Sequence, residues 1–199
     1  KGPVNMLDTS RNYAMGESEK RIGIAIKAND GWPEKFVLST KIDRNMDTLV
    51  LDEKRTRESF EESLKTLNVD SVDVLFLHDP EYAKDINDVT KKGGALNELF
   101  KIKEEGLAKA VGLAMGRIDI MFPILRKWDF DVIINHNRYT LLNREADEMY
   151  NYAHSKNISI FNAAPYAGGV LAKGPNNFKK ITYQDATEEK LAPVREICL

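Results

Sequence analysis

Short apolar runs alternate with longer amphipathic stretches along the whole chain, and no other feature limits the possible folds so tightly. The runs are Asn5–Leu7, Phe36–Lys41, Val72–Leu77, Ala110–Leu113, Val132–Asn135 and Ser159–Ala163. Each is almost wholly apolar, as a parallel strand covered on both faces must be. The stretches Ser18–Lys27, Lys54–Leu67, Ala95–Glu105, Ile118–Lys127, Glu145–Ser155 and Glu188–Leu199 read as helices; in the second, Phe60, Leu64 and Leu67 share one face. Strands alternating with helices define βαβ units and a parallel sheet. Six units are readable in 199 residues, whereas a closed (β/α)₈ barrel needs eight and typically about 250 residues. Two α/β architectures therefore stand: an open doubly wound sheet, which the length favours, or a barrel lacking a unit at one or both ends. Residues 1–199 are expected to form a single domain. The least regular stretches, Asp79–Gly94 and Ala172–Thr187, follow strands, where a barrel carries its substrate loops.

Composition narrows the function classes. With 42% hydrophobic and 30% charged residues the chain has the profile of an ordinary globular domain. A formal net charge of −2 gives no global electrostatic case for nucleic acid or an anionic membrane. No apolar run approaches the roughly 20 residues that span a bilayer. Lys1-Gly2-Pro3-Val4 leads straight into a strand-like run, with no secretory signal in view. Cys198 is the only cysteine, which excludes an intrachain disulfide and fits a reducing, cytoplasmic setting.

Three consecutive strands end in ionisable residues. Asp8 closes the first, followed by Tyr13 in Leu7-Asp8-Thr9-Ser10-Arg11-Asn12-Tyr13, and Ser18 is a candidate N-cap for the next helix. Lys41 closes the second strand and His78 the third, ahead of Asp79, Pro80 and Glu81. Singly, each has an ordinary explanation: a turn aspartate, a lysine snorkelling to solvent, a hydrogen-bonded histidine. Asp79 and Glu81 beside His78 also raise a metal reading, but no second histidine or cysteine is spaced to help, so no metal is expected. Jointly the four mean more, because parallel barrel strands converge their C-terminal ends on one mouth. A phenol ionises near pH 10. An ammonium about 4 Å away, at an effective dielectric near 20, is worth roughly 4 kcal/mol, or about three pKa units. Lys41, held by Asp8, is thus expected to bring Tyr13 down into acid–base range, with His78 donating to a substrate oxygen or relaying a proton. Such a set moves protons and has no hydride source, so a nicotinamide cofactor is required.

On these residues the sequence resembles the aldo-keto reductases. Asp8-Thr9-Ser10-x-x-Tyr13-x-x-Gly16-x-Ser18-Glu19 is similar to their first signature, and Lys41 and His78 fall on the family's other two catalytic positions. The likeness runs from about Asn5 to the last helix. It implies a TIM barrel, NAD or NADP bound in extended form without a Rossmann glycine fingerprint, and hydride transfer at the barrel mouth. It also implies cofactor contacts from Ala114 and Met115, where the family commonly has Ser-Asn, and from His136, where it has Gln. Ala163-Ala164-Pro165-Tyr166 replaces the usual Tyr-Ser-Pro-Leu, which brings in Ala164 and Pro165, and Gly168-Gly169 would let backbone approach a pyrophosphate, or simply form a tight turn. The segments 137–144 and 162–169 are similar to a dehydrogenase branch that includes D-threo-aldose 1-dehydrogenases, acting on L-fucose or L-galactose, and pyridoxal 4-dehydrogenases.

The resulting expectation is an NAD(P)-dependent oxidoreductase acting on a small aldose, aldehyde or alcohol, with a small molecule as its partner and neither nucleic acid nor membrane. The alternatives are a non-catalytic cofactor-binding barrel serving as a sensor or regulatory subunit, and an inactive truncated product. Tyr82 and Tyr166 are candidate pocket walls. Trp32, Trp128, His154, Cys198 and the charge-rich segment 101–105 are assigned to structure.

Overall fold

In a computed structural model, which describes residues 3–169 and 188–197, six parallel strands form one sheet in the order of the chain. They are β1 (Met6–Asp8), β2 (Val37–Ile42), β3 (Val72–His78), β4 (Ala108–Met115), β5 (Val132–His136) and β6 (Ser159–Ala163). A doubly wound sheet reverses its strand order at a switch point, and none occurs here. Crossovers of one hand between successive neighbours keep the helices on one side, so the sheet is an open portion of a (β/α) barrel wall.

The helices are α1 (Glu17–Ala28), α2 (Glu53–Leu67), α3 (Ile86–Thr90), α4 (Ala95–Glu104), α5 (Ile118–Leu125), α6 (Asp147–Ser155) and α7 (Glu188–Ile197). α3 is a helix inside the stretch expected to be irregular: Asp85 caps it by accepting from the Asn87 N–H at 2.8 Å, and five residues are too few to show a helical period. The expected cap of α1 is also corrected. Gly16, at φ +87°, occupies the N-cap, and Ser18 Oγ instead lies 2.8 Å from Thr9 Oγ1.

Side chains alternate across each strand. Leu75, Leu77, Val111, Leu113, Met115 and Ile133 pack outward with Phe60, Leu67, Leu96, Leu99 and Ile102 from the helices. Val74, Phe76, Ala114, Val132 and Ile134 form a smaller cluster on the inner face. Gly112 makes that cluster possible: a Cβ there would lie 2.0 Å from the Val132 carbonyl oxygen and 2.9 Å from the Phe76 ring. Trp128 stacks on Phe100 at 5.3 Å outside the sheet, Trp32 donates to the Phe36 carbonyl at 2.7 Å, and His154 is exposed. In segment 101–105, Lys101 and Glu105 pair with Glu98 and Arg57. Cys198 and residues 172–187 lie outside the described residues. No described helix is long and apolar enough to cross a membrane.

Candidate active site

The inner-face alternation delivers Asp8, Lys41 and His78 to one end of three adjacent strands. Register sets Asp8 opposite Ser39, Lys41 opposite Phe76 and His78 opposite Ala114. Lys41, only 2% exposed, places its Nζ 2.5 Å from Asp8 Oδ2 and 2.7 Å from the Thr9 carbonyl oxygen. Ser39 Oγ donates to Asp8 Oδ1 at 2.8 Å. Two of the three ammonium donors are thereby used. Burial pushes the Lys41 pKa down, and the Asp8 charge and hydrogen bond recover part of the loss.

Tyr13 lies above this pair. Its ring centroid is 4.7 Å from Lys41 Nζ and 5.7 Å from the His78 ring, which it meets edge-on at 79°. The expected lowering of its pKa does not occur: the phenol is pushed up to about 12, by burial first and then by Asp8, Asp43 and Asp79. Asp8 neutralises the Lys41 charge, while the other two carboxylates also face the phenol. In this state the Tyr13 phenol keeps its proton.

His78 is held from behind by a residue that strand-end reasoning missed. Asp43 Oδ1 is 2.7 Å from His78 Nδ1. Its Oδ2 accepts from Ser10 Oγ at 2.6 Å and from the Asn12 N–H at 3.1 Å, and its own N–H donates to Ser59 Oγ at 3.0 Å. Burial alone would raise the Asp43 pKa; hydrogen bonds from His78, Ser10 and Asn12 and the His78 charge outweigh it, and the net shift is downward. A signal was available: Ser39, Lys41 and Asp43 are spaced two apart, so a strand carried two residues past Lys41 puts Asp43 on the inner face. His78 Nε2 is 3.9 Å from Asp79 Oδ2. Further out, the Arg44 guanidinium lies over the Tyr82 ring at 5.4 Å, with its buried Nε lacking a hydrogen-bond partner among the described residues.

The positions expected to hold a cofactor divide. Ala114, beside His78, and Ala163, opposite His136 in register, put only methyl groups on the inner face at the mouth ends of β4 and β6. Ala164 and Pro165 are exposed, Gly168 and Gly169 turn the chain at φ +68° and +99°, and a Cβ on Gly169 would meet nothing within 4 Å. These small or open positions leave room for a flat ring and a phosphate chain. His136 packs on Gly116, where a Cβ would lie 2.6 Å from its Cε1. Met115 is corrected: its side chain is fully buried in the outer layer against the helices, so only its backbone is available to a cofactor. Glu81 Oε1 accepts the Gly116 N–H at 2.9 Å. Among the described residues no group of three or more His, Cys, Asp or Glu side chains is placed to hold a metal ion. At the opposite end of the strands a groove of about 370 Å³ is lined by Trp32, Val72, Asp73 and Lys109, without the acid–base constellation of the mouth.

An open barrel wall with a buried lysine paired to a carboxylate beneath a tyrosine and a histidine is the setting in which family membership becomes plain: residues 3–198 match the aldo/keto reductase family, and the chain belongs to it. It is 30% identical to L-galactose dehydrogenase of Arabidopsis thaliana over 86% of this chain and 54% of that protein. It is 29% identical to D-threo-aldose 1-dehydrogenase of Pseudomonas sp. over 98% of this chain and 67% of that protein. Among solved structures, the holo form of an aldo-keto reductase from Bacillus halodurans superposes with a TM-score of 0.72 at 21% identity, covering 98% of this chain and 63% of that one. The chain thus spans roughly half to two thirds of the length of these relatives.

Proposed function

We propose that the protein is an NAD(P)-dependent oxidoreductase that moves a hydride between nicotinamide and a small aldose, aldehyde or alcohol, and that it oxidises a sugar at C1. The observation that carries this is the Asp8–Lys41 ion pair lying under the Tyr13 ring beside His78. Bound nicotinamide supplies the hydride acceptor or donor. Ala114, His136, Ala164, Pro165, Gly168, Gly169 and the Met115 backbone would hold it. Tyr13 is the general acid/base: in sugar oxidation its phenolate takes the C1 hydroxyl proton, and in carbonyl reduction its phenol gives that proton back. Lys41, with its pKa depressed by burial, stabilises the phenolate form and exchanges a proton with it. Asp8 keeps that ammonium charged and aimed. His78 contacts the substrate oxygen from the other side.

The sugar assignment draws on the two dehydrogenases named above and on Arg44 and Tyr82, which offer hydrogen-bond donors and an aromatic face to a polyhydroxylated substrate. Pyridoxal is the competing substrate. The test follows reduced-nicotinamide absorbance with NAD⁺ and NADP⁺ in turn, against L-galactose, L-fucose, D-arabinose and pyridoxal. Turnover on a sugar is expected, and Tyr13→Phe should lower kcat by about 10³-fold while cofactor still binds. Full turnover by Tyr13→Phe would refute the acid–base role, and turnover on pyridoxal alone would refute the sugar assignment.

A further inference from the structure

The contacts around Asp43 have a directional logic. The Asn12 N–H can only donate, and it points at Oδ2 from 3.1 Å. Ser10 Oγ donates to the same oxygen at 2.6 Å. Oδ1 is left for His78 Nδ1 at 2.7 Å. An ionised carboxylate accepts at both oxygens, so the imidazole must place its proton on Nδ1. Three donors on a carboxylate that is only 3% exposed keep it ionised.

We propose that Asp43 is a positioning residue that fixes His78 in the Nδ1–H tautomer, leaving Nε2 as the nitrogen that exchanges a proton with the substrate oxygen. In the neutral ring Nε2 carries a lone pair and accepts from a substrate hydroxyl. Once protonated, the same nitrogen donates to a carbonyl oxygen, and Asp43 supplies the countercharge without taking the proton itself. This is the physical role a buried carboxylate plays behind the imidazole of a serine-protease triad. Here it is built from a loop residue two positions beyond the lysine.

The surrounding donors dictate what an amide would do. In Asp43→Asn, the Asn12 N–H still requires an acceptor where Oδ2 stands, so the amide oxygen settles there, while the Ser10 hydroxyl can turn to suit. The amide NH₂ then faces His78 Nδ1, and the ring proton is driven to Nε2. Asp43→Glu keeps an acceptor-only group toward the ring and preserves the Nδ1–H form.

The experiment labels the histidines of the intact protein with ¹⁵N and reads tautomers from long-range ¹H–¹⁵N correlations above the imidazole pKa. There are three histidines, and a His78→Asn variant assigns the relevant signals. Wild type is expected to show a protonated Nδ1 and bare Nε2 at His78, with the pattern reversed in Asp43→Asn. In parallel, kcat on the active sugar should fall about 10²-fold in Asp43→Asn, with cofactor Kd within a factor of about two and partial recovery in Asp43→Glu. A wild-type His78 protonated on Nε2 would overturn the proposal, and so would an unchanged tautomer in Asp43→Asn or a reversed one with unchanged kcat. Should Asp43→Asn not fold, the wild-type spectrum alone decides. The kinetic arm presupposes the oxidoreductase function proposed above, whereas the tautomer is read without substrate; silence on every substrate would count against that function and leave the spectrum to judge Asp43.

Discussion

The two faces of β2 both bury polar side chains, and they bury them on different terms. On the inner face, Lys41 meets Asp8 and the Thr9 carbonyl, Ser39 meets Asp8, and Asp43 just beyond receives three donors. On the helix-facing side, Thr40 donates to Glu19 of α1 at 2.6 Å, and the other Glu19 carboxylate oxygen is buried without a hydrogen-bond partner among the described residues. Glu19 is pushed up in pKa by its burial while Asp43 is held down by its donors. Two carboxylates at similar depth are thus shifted in opposite directions, because hydrogen bonds from His78, Ser10 and Asn12 and the His78 charge outweigh burial at Asp43, whereas burial outweighs the hydrogen bonds at Glu19. The inner network spends polar atoms on charge at the mouth, and the outer one spends a single hydrogen bond on seating α1 against the sheet.

Substitutions that separate activity from stability test this contrast most severely. Lys41→Met should lower kcat by about 10³-fold, with little change in unfolding free energy because it also removes the desolvation cost of a buried ammonium. Glu19→Ala should do the reverse, costing about 2 kcal/mol by leaving Thr40 and a cavity behind, with kcat within about twofold. Urea unfolding beside steady-state kinetics reads both, and a stability loss confined to Lys41→Met would collapse the distinction.

A subtler measure is the sign of the pH dependence. Folded Glu19 holds its proton more tightly than the unfolded chain does. Its contribution is present at low pH and is lost as pH rises from 4.5 through the raised folded value. Asp43 runs the other way: its contribution is present above the unfolded value of 3.8 and is lost as pH falls through the lowered folded value. Unfolding free energies measured from about pH 3 to 6 should therefore lose a downward slope in Glu19→Gln and an upward slope in Asp43→Asn. Parallel curves for both variants would show that the two environments are not opposed.

The smallest expected effect concerns backbone rather than charge. Ala14 and Met15, immediately after Tyr13, sit at φ +51° and +56°, a region that disfavours side chains bearing a Cβ. Ala14→Gly should stabilise by about 0.5–1 kcal/mol in thermal unfolding. Destabilisation would mean that the methyl group makes contacts outweighing the strain.

Much of the fold was readable because parallel strands buried on both faces are nearly pure apolar runs. All six strands stand within two residues of their sequence positions. The choice between an open sheet and a barrel wall was not readable from periodicity, since it depends on strand order. Asp8, Lys41 and His78 were visible as charges where apolar runs stop. Asp43 was missed although it follows Ser39 and Lys41 at a spacing of two, because its partners come from elsewhere: Ser10 and Asn12 from the loop after β1, and His78 from the end of β3. The direction of the Tyr13 shift was missed for a related reason: one cation was weighed, and three carboxylates and the partial desolvation of the ring were not. α3 and the true cap of α1 depend on local turns whose signals span too few residues.

The pairing of β2 between β1 and β3 also acts as an assembly checkpoint. A slip of one residue would swing Lys41 toward the apolar layer against the helices and turn Leu38 and Ile42 to the mouth. An ammonium stranded there, away from Asp8, would cost several kcal/mol. Misassembled chains would therefore be penalised by the same side chain that pairs with Asp8 in assembled ones. Quality control over the sheet and readiness of the mouth are one event, written into alternate letters of a six-residue strand.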